Sequence, residues 1–184
     1  MEVLIFPDAL SLARKSADLV ESQIKAFPDS VIGLATGSTP LGLYKELIMR
    51  HAEHDLSFAQ VKTFNLDEYV GIPSNHPQSY RTFMDKNLFN RIDIDQSNTQ
   101  VPDGMAENPL ATGPAYEKMI EDSGGIDLQI LGVGTDGHIG FNEPTSSLGS
   151  ITRVKTLTQQ TIEDNSRFFS PNEFQPKLAI TMGI

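Results

Sequence analysis

Apolar positions recur along the chain in two periods, and the switches between them predict its elements. Residues 3–6 form a short apolar run, read as a strand that Pro7-Asp8 ends, with Asp8 placed to cap a helix. Ala9, Ala13, Ala17, Val20 and Ile24 then fall at steps of four, four, three and four, the stripe of an amphipathic helix. Residues 31–35 are apolar without interruption, as in a buried parallel strand, and 36–40 form a turn. Leu41, Leu43, Tyr44, Leu47 and Ile48 make a second helical stripe running to about His54.

The alternation continues. Strands are predicted at 61–66, 126–132, 151–157 and 177–182, and helices at 80–89, 109–121 and 161–169. Gly113-Pro114 is expected to mark the true start of the 109–121 helix, with Pro114 in its first position. Residues 91–104 read as irregular, and 133–149 as a long glycine-bearing loop or short helix. Strands alternating with helices predict an α/β fold: an open, mainly parallel, Rossmann-like sheet with helices on both faces. In such sheets the ligand crevice lies beyond the carboxyl ends of the strands. Residues 36–40, 65–71 and 132–144 all fall there.

Composition narrows the classes of function. A chain of 184 residues is one domain's length and has no cysteine, which removes thiol nucleophiles, disulfides and zinc–thiolate sites. Lys and Arg number 14 against 24 Asp and Glu, a formal charge of −10 that disfavours nucleic acid and anionic membrane surfaces. No apolar run approaches the roughly 18 residues of a membrane span, and the start resembles no targeting peptide. A soluble, cytoplasmic protein is the expectation.

Three segments carry candidate chemistry. Thr36, Gly37, Ser38, Thr39 and Pro40 join a buried strand to a helix, where hydroxyls and free N–H groups suit a phosphate; a merely capped turn is the alternative. In Asn65-Leu66-Asp67-Glu68-Tyr69, adjacent carboxylates at a strand end point to opposite faces, so one faces the crevice as a general base while the other pairs or caps. Asp136, His138 and Glu143 stand among four glycines, the makeup of a proton-shuttling site. A divalent metal site is the rival reading, but one histidine with two carboxylates at this spacing is a weak metal signature. Ser166-Arg167 offers an arginine fork suited to phosphate oxygens. His51 and His54 read as a polar helix end and His76 as loop surface.

LATGSTP (34–40), FNLDEYVG (64–71), HPQSY (76–80), LGVGTDGHIGFNEP (131–144) and NSRFF (165–169) together resemble the glucosamine-6-phosphate deaminase family, in order and with suitable gaps. The resemblance implies conversion of glucosamine 6-phosphate and water to fructose 6-phosphate and ammonia, with a small-molecule sugar phosphate as partner and no cofactor. It implies that Asp67 moves the C2 proton to C1, and that His138, oriented by Asp136 and Glu143, opens the pyranose ring. Thr36, Gly37, Ser38 and Thr39, with Ser166 and Arg167, would hold the phosphate. Some members are hexamers activated by N-acetylglucosamine 6-phosphate. Ser146, Arg153, Lys155 and Thr156 match part of that effector site, so self-association and activation are both left open. The family continues beyond Met182-Gly183-Ile184 with a further strand and helix and a phosphate-contacting lysine. The expectation is therefore a single deaminase/isomerase domain over 1–184, with two alternatives for its end: the chain is C-terminally incomplete, or the domain lacks its last βα portion. Two rival readings are a sugar-phosphate lactonase or isomerase of related fold, and a non-catalytic sugar-phosphate-sensing domain. The sensing domain is disfavoured because no basic helix-turn-helix precedes the first strand and the carboxylates are retained.

Overall fold

In the computed structural model, which describes residues 2–166, 169–170 and 173–184, residues 8–65 fold as their periodicity predicts. Helix α1 (Ala9–Ala26) starts where the Asp8 carboxylate accepts the Ser11 N–H at 2.7 Å and buries Ala13, Ala17, Val20 and Ile24. Strand β1 (Val31–Leu34) is buried along its length, and α2 (Leu41–Glu53) comes next. β2 (Lys62–Asn65) pairs parallel with β1, β4 (Thr99–Gln100) parallel with β2, and β5 (Leu128–Gln129) parallel with β1, giving the order β4-β2-β1-β5.

Helices cover both faces of this sheet. Ile32 and Leu34 pack with Ala17, Val20, Leu43, Tyr44 and Leu47, while Val31 and Phe64 meet Tyr116 of α4 (Pro109–Asp122) on the opposite side. The Tyr116 hydroxyl donates to Asn65 O at 2.9 Å and Gln100 O at 3.1 Å, pinning α4 at the carboxyl ends of β2 and β4. Between α1 and α2, the buried Arg50 guanidinium bonds Asp18 at 2.8 Å and Glu21 at 2.6 Å.

The remaining strands form a second, antiparallel sheet, β3-β7-β6, from β3 (Asp67–Tyr69), β6 (Arg153–Thr156) and β7 (Leu178–Thr181). Strand–helix alternation does not foretell it, because its strands come from distant parts of the chain. Leu66 is the seam: its N–H donates to Leu34 O at 3.0 Å and its carbonyl accepts Met182 N–H at 2.8 Å. The second sheet thus begins where β2 ends.

Four expectations about elements need correcting. Residues 3–6 form no strand; Val3 and Ile5 are 69% and 92% exposed, and no described strand lies beside them to pair their backbone groups. Helix α4 begins at Pro109, not Pro114, because the Asn108 side chain caps it by accepting Leu110 N–H at 3.2 Å. Pro114 lies inside it, and Gly113 lets the helix touch the Thr152 carbonyl, which a Cβ would approach to 2.2 Å. The 80–89 helix ends at Asn87, as α3 (Tyr80–Asn87), and residues 89–91 tighten into a 3₁₀ turn. The 161–169 helix is α5 (Gln159–Ser166).

Candidate active site

Asp67 leaves the seam between the two sheets at the carboxyl end of the parallel strands, opposite Thr181 of β7. It is 6% exposed, and among the described residues its carboxyl has no hydrogen-bond donor. Burial first, and then the charge of Glu68, push its pKa up to about 8. Glu68 points the other way, as strand alternation requires. Its Oε1 accepts the N–H groups of Tyr69 (2.8 Å) and Tyr80 (3.0 Å), and its Oε2 accepts that of Arg81 (3.0 Å). It therefore caps the start of α3 together with Ser79, whose hydroxyl accepts Thr82 N–H at 3.0 Å. Its pKa is raised as well, burial outweighing the three donors. One carboxylate is left for chemistry and the other is committed to structure.

The glycine-rich loop holds a second cluster of titratable side chains. His138 Nδ1 lies 2.6 Å from Asp136 Oδ1, and the same oxygen accepts the His138 backbone N–H at 3.2 Å. These two bonds, backbone first, hold the Asp136 carboxyl below the usual range. A carboxylate on Nδ1 fixes the proton there and leaves Nε2 free to take or give one. The imidazole lies where a Gly134 side chain would be: a Cβ at that position would sit 2.2–2.5 Å from three ring atoms. Glu143 completes the group, with donor atoms of Asp136, His138 and Glu143 all within 4.8 Å of one another. Its Oε1 accepts from the Thr161 hydroxyl of α5 at 3.4 Å.

Gly140 brings the two centres together. Its φ is +58°, and a Cβ there would lie 3.1 Å from Asp67 Oδ2 and 2.8 Å from Thr181 Oγ1. The loop backbone thus runs directly against the Asp67 carboxyl. Asn142 secures this approach: its amide donates to Ile139 O (3.0 Å) and Met182 O (2.8 Å), and its oxygen accepts from Arg153 Nη2 at 2.7 Å. Thr181 Oγ1 accepts Phe141 N–H at 3.2 Å.

The turn after β1 places Thr36 half-buried and Gly37, Ser38 and Thr39 exposed, with Gly37 at φ +95°. Among the described residues no side chain caps α2, whereas Asp8, Ser79 and Asn108 cap α1, α3 and α4. Uncapped N–H groups at a helix start are suited to an anion. Ser166 is exposed at the end of α5, its hydroxyl donating to Glu163 O at 2.7 Å; Arg167 lies outside the described residues. Arg153 and Lys155 alternate on β6 and so share a face, Thr156 is exposed beyond them, and the Ser146 hydroxyl is buried without a partner.

Several contributors carry no motif-level signal. Thr161 and Thr181 act through contacts across the fold, and only the tertiary structure brings Thr161 to Glu143 and Thr181 beside Asp67. His76 corrects its reading as loop surface: its side chain is 15% exposed and its Nε2 lies 2.6 Å from Glu173 Oε1.

The family model for glucosamine-6-phosphate isomerases and 6-phosphogluconolactonases matches residues 7–145. Glucosamine-6-phosphate deaminase of Cellvibrio japonicus is 60% identical over 184 residues, all of this chain and 70% of that protein. The Shewanella loihica enzyme of the same name is 56% identical over all of this chain and 69% of its own length. Among solved structures, a monomeric glucosamine-6-phosphate deaminase is 42% identical and superposes with a TM-score of 0.95, covering all of this chain and 76% of the other. The 6-phosphogluconolactonase of Thermotoga maritima shares the fold at 21% identity, with a TM-score of 0.70 over 99% of this chain and 76% of that one.

Proposed function

The chain belongs to the glucosamine-6-phosphate isomerase/6-phosphogluconolactonase family, and from that premise we infer that it is a glucosamine-6-phosphate deaminase, converting glucosamine 6-phosphate and water to fructose 6-phosphate and ammonia. The observation that carries this reading is a buried carboxyl, Asp67, without a hydrogen-bond donor among the described residues and lying against the loop that holds His138. Aldose–ketose conversion needs one base beside C1 and C2 and a separate acid–base group at the ring oxygen. The two centres supply these roles from two sides of one seam.

In this reading the Nε2 of His138 takes the proton of the C1 hydroxyl and returns one to the ring oxygen, opening the pyranose. Asp136 fixes the imidazole tautomer, and Glu143 stands beside both in the same cluster. Asp67, ionised, removes the C2 proton and delivers a proton to C1 on the same face; the amine then leaves as ammonia after water adds at C2. A carboxyl poised near neutrality suits both halves of that transfer. Phosphate recognition at the uncapped start of α2, through Thr36, Gly37, Ser38 and Thr39, and at Ser166 with Arg167, orients the reacting carbons from a distance. Small soluble reactants fit a cytoplasmic enzyme, and among the described residues no helix is long and apolar enough to cross a membrane.

A lactone hydrolase of the same fold has no use for a C2 base. Ammonia release from glucosamine 6-phosphate and hydrolysis of 6-phosphogluconolactone, measured side by side, separate the two. Ammonia with no lactone hydrolysis above the spontaneous rate is the expected result. Lactone hydrolysis without ammonia overturns the deaminase reading, and neither activity would favour the sensing domain.

A further inference from the structure

His76 lies in the loop after β3, and Glu173 lies beyond α5, yet the two meet across 97 residues of sequence. The Gln78 N–H donates to His76 Nδ1 at 3.1 Å, so Nε2 carries the proton that Glu173 Oε1 accepts at 2.6 Å. The other oxygen of Glu173 accepts the Ser170 N–H at 2.8 Å, which fixes the carboxylate. The His76 ring stacks on Phe169 (5.9 Å between centroids, 20° between planes), and Phe169 meets the edge of Tyr69 at 6.4 Å. Phe174 closes on Gly71, where a Cβ would come within 2.8 Å of its ring. Four contacts therefore bind Phe169, Glu173 and Phe174 to the stretch beginning two residues after Asp67.

An exposed ion pair is worth little. This one differs because its histidine side chain is largely buried and its ring and its Nε2–H act on the same segment. Helix α5 touches the catalytic loop through Thr161, which donates to Glu143, and ends at Ser166. The body of α5 is held by Ile162, which packs against the cluster of Tyr69, Phe141 and Leu157, and by Gln175, whose amide donates to Ile162 O; the anchor just past Ser166 adds a hold on its C-terminal end.

We propose that His76 is a positioning residue, which clamps Glu173 and Phe169 so that the end of α5 is held where Ser166 meets the phosphate of a phosphosugar reacting at Asp67. The clamp serves binding and not proton transfer, and it rests on the phosphate-holding role given above to Ser166. A clamp that favours the binding-competent position raises apparent affinity by the fraction of molecules it holds there.

The test compares His76→Ala, Glu173→Ala and the double variant in ammonia release from glucosamine 6-phosphate, with hydrogen exchange of the Phe169 and Glu173 amides followed in parallel. Each single variant is expected to raise KM about tenfold, the effect of one charge-assisted hydrogen bond, with kcat within about threefold. The double variant should be no worse than the more affected single one. Unchanged KM in both single variants, or losses that multiply in the double, overturn the proposal. If the unsubstituted chain releases no ammonia, the deaminase reading fails on its own. Exchange then decides the clamp: faster exchange in His76→Ala supports it, and unchanged exchange refutes it.

Discussion

Replacing Asp67 by asparagine removes a charge and keeps the shape, and it should make the protein more stable while abolishing its chemistry. The Asp67 carboxyl titrates near 3.8 when exposed and near 8 in the fold. Between those values the native state holds a proton that the unfolded chain has released, so this residue makes stability fall as pH rises through that window. Each unit contributes about 1.36 kcal/mol, so the cost grows by about 2.7 kcal/mol between pH 5 and pH 7 and reaches at most about 4 kcal/mol at pH 7. The neutral amide of Asp67→Asn carries no such penalty and forfeits no hydrogen bond, because among the described residues the carboxyl accepts none. Urea denaturation of both proteins at pH 5, 6, 7 and 8 isolates the effect, since every other titrating group cancels in the difference. The variant's advantage should widen steadily with pH and level off above pH 8. A difference that stays flat across the series, or a less stable variant at pH 7, would refute the burial argument. Activity takes the opposite sign: the base works when ionised, so kcat/KM should decline as pH falls through about 8.

Two further substitutions test the surroundings of this site. Gly134→Ala places a methyl group on the His138 ring; kcat should drop at least tenfold with a small change in denaturation midpoint, and wild-type turnover would mean the imidazole does not work from this position. Glu68→Gln weakens the cap of α3, lowering stability in urea by about 1–3 kcal/mol, and removes a charge that raises the Asp67 pKa. The acid limb of kcat/KM should therefore shift to lower pH, and an unshifted limb would show that Glu68 does not act on Asp67.

Where the fold follows one-dimensional periodicity, it is legible in the sequence. The Ala13–Ala17–Val20–Ile24 stripe and the apolar block at 31–35 give α1 and β1 because each buries one face, or both, against the same core. Asp67 and Glu68 are separable for a related reason, adjacent residues of a strand facing opposite ways. What periodicity cannot carry is pairing between distant segments. The antiparallel sheet joins residues 67–69, 153–156 and 178–181, and no local pattern encodes that meeting. Residues 3–6 mislead in the reverse sense: their apolar run is strand-like, but a strand needs a neighbour. The helix start at Pro109 is hidden because Pro114 is the more conspicuous signal, whereas the Asn108 cap decides the matter. In the site, Asp136, His138 and Glu143 are visible as a motif because one loop carries all three. Gly140's approach to Asp67, and His76's reach to Glu173, depend on tertiary geometry alone.

The central claim is that Asp67 moves the C2 proton of glucosamine 6-phosphate to C1. Substrate deuterated at C2 tests it directly, with mass spectrometry locating the label in the product. The unsubstituted chain should release ammonia and yield fructose 6-phosphate carrying deuterium at C1, and Asp67→Asn should yield none. Full turnover by Asp67→Asn would contradict the account.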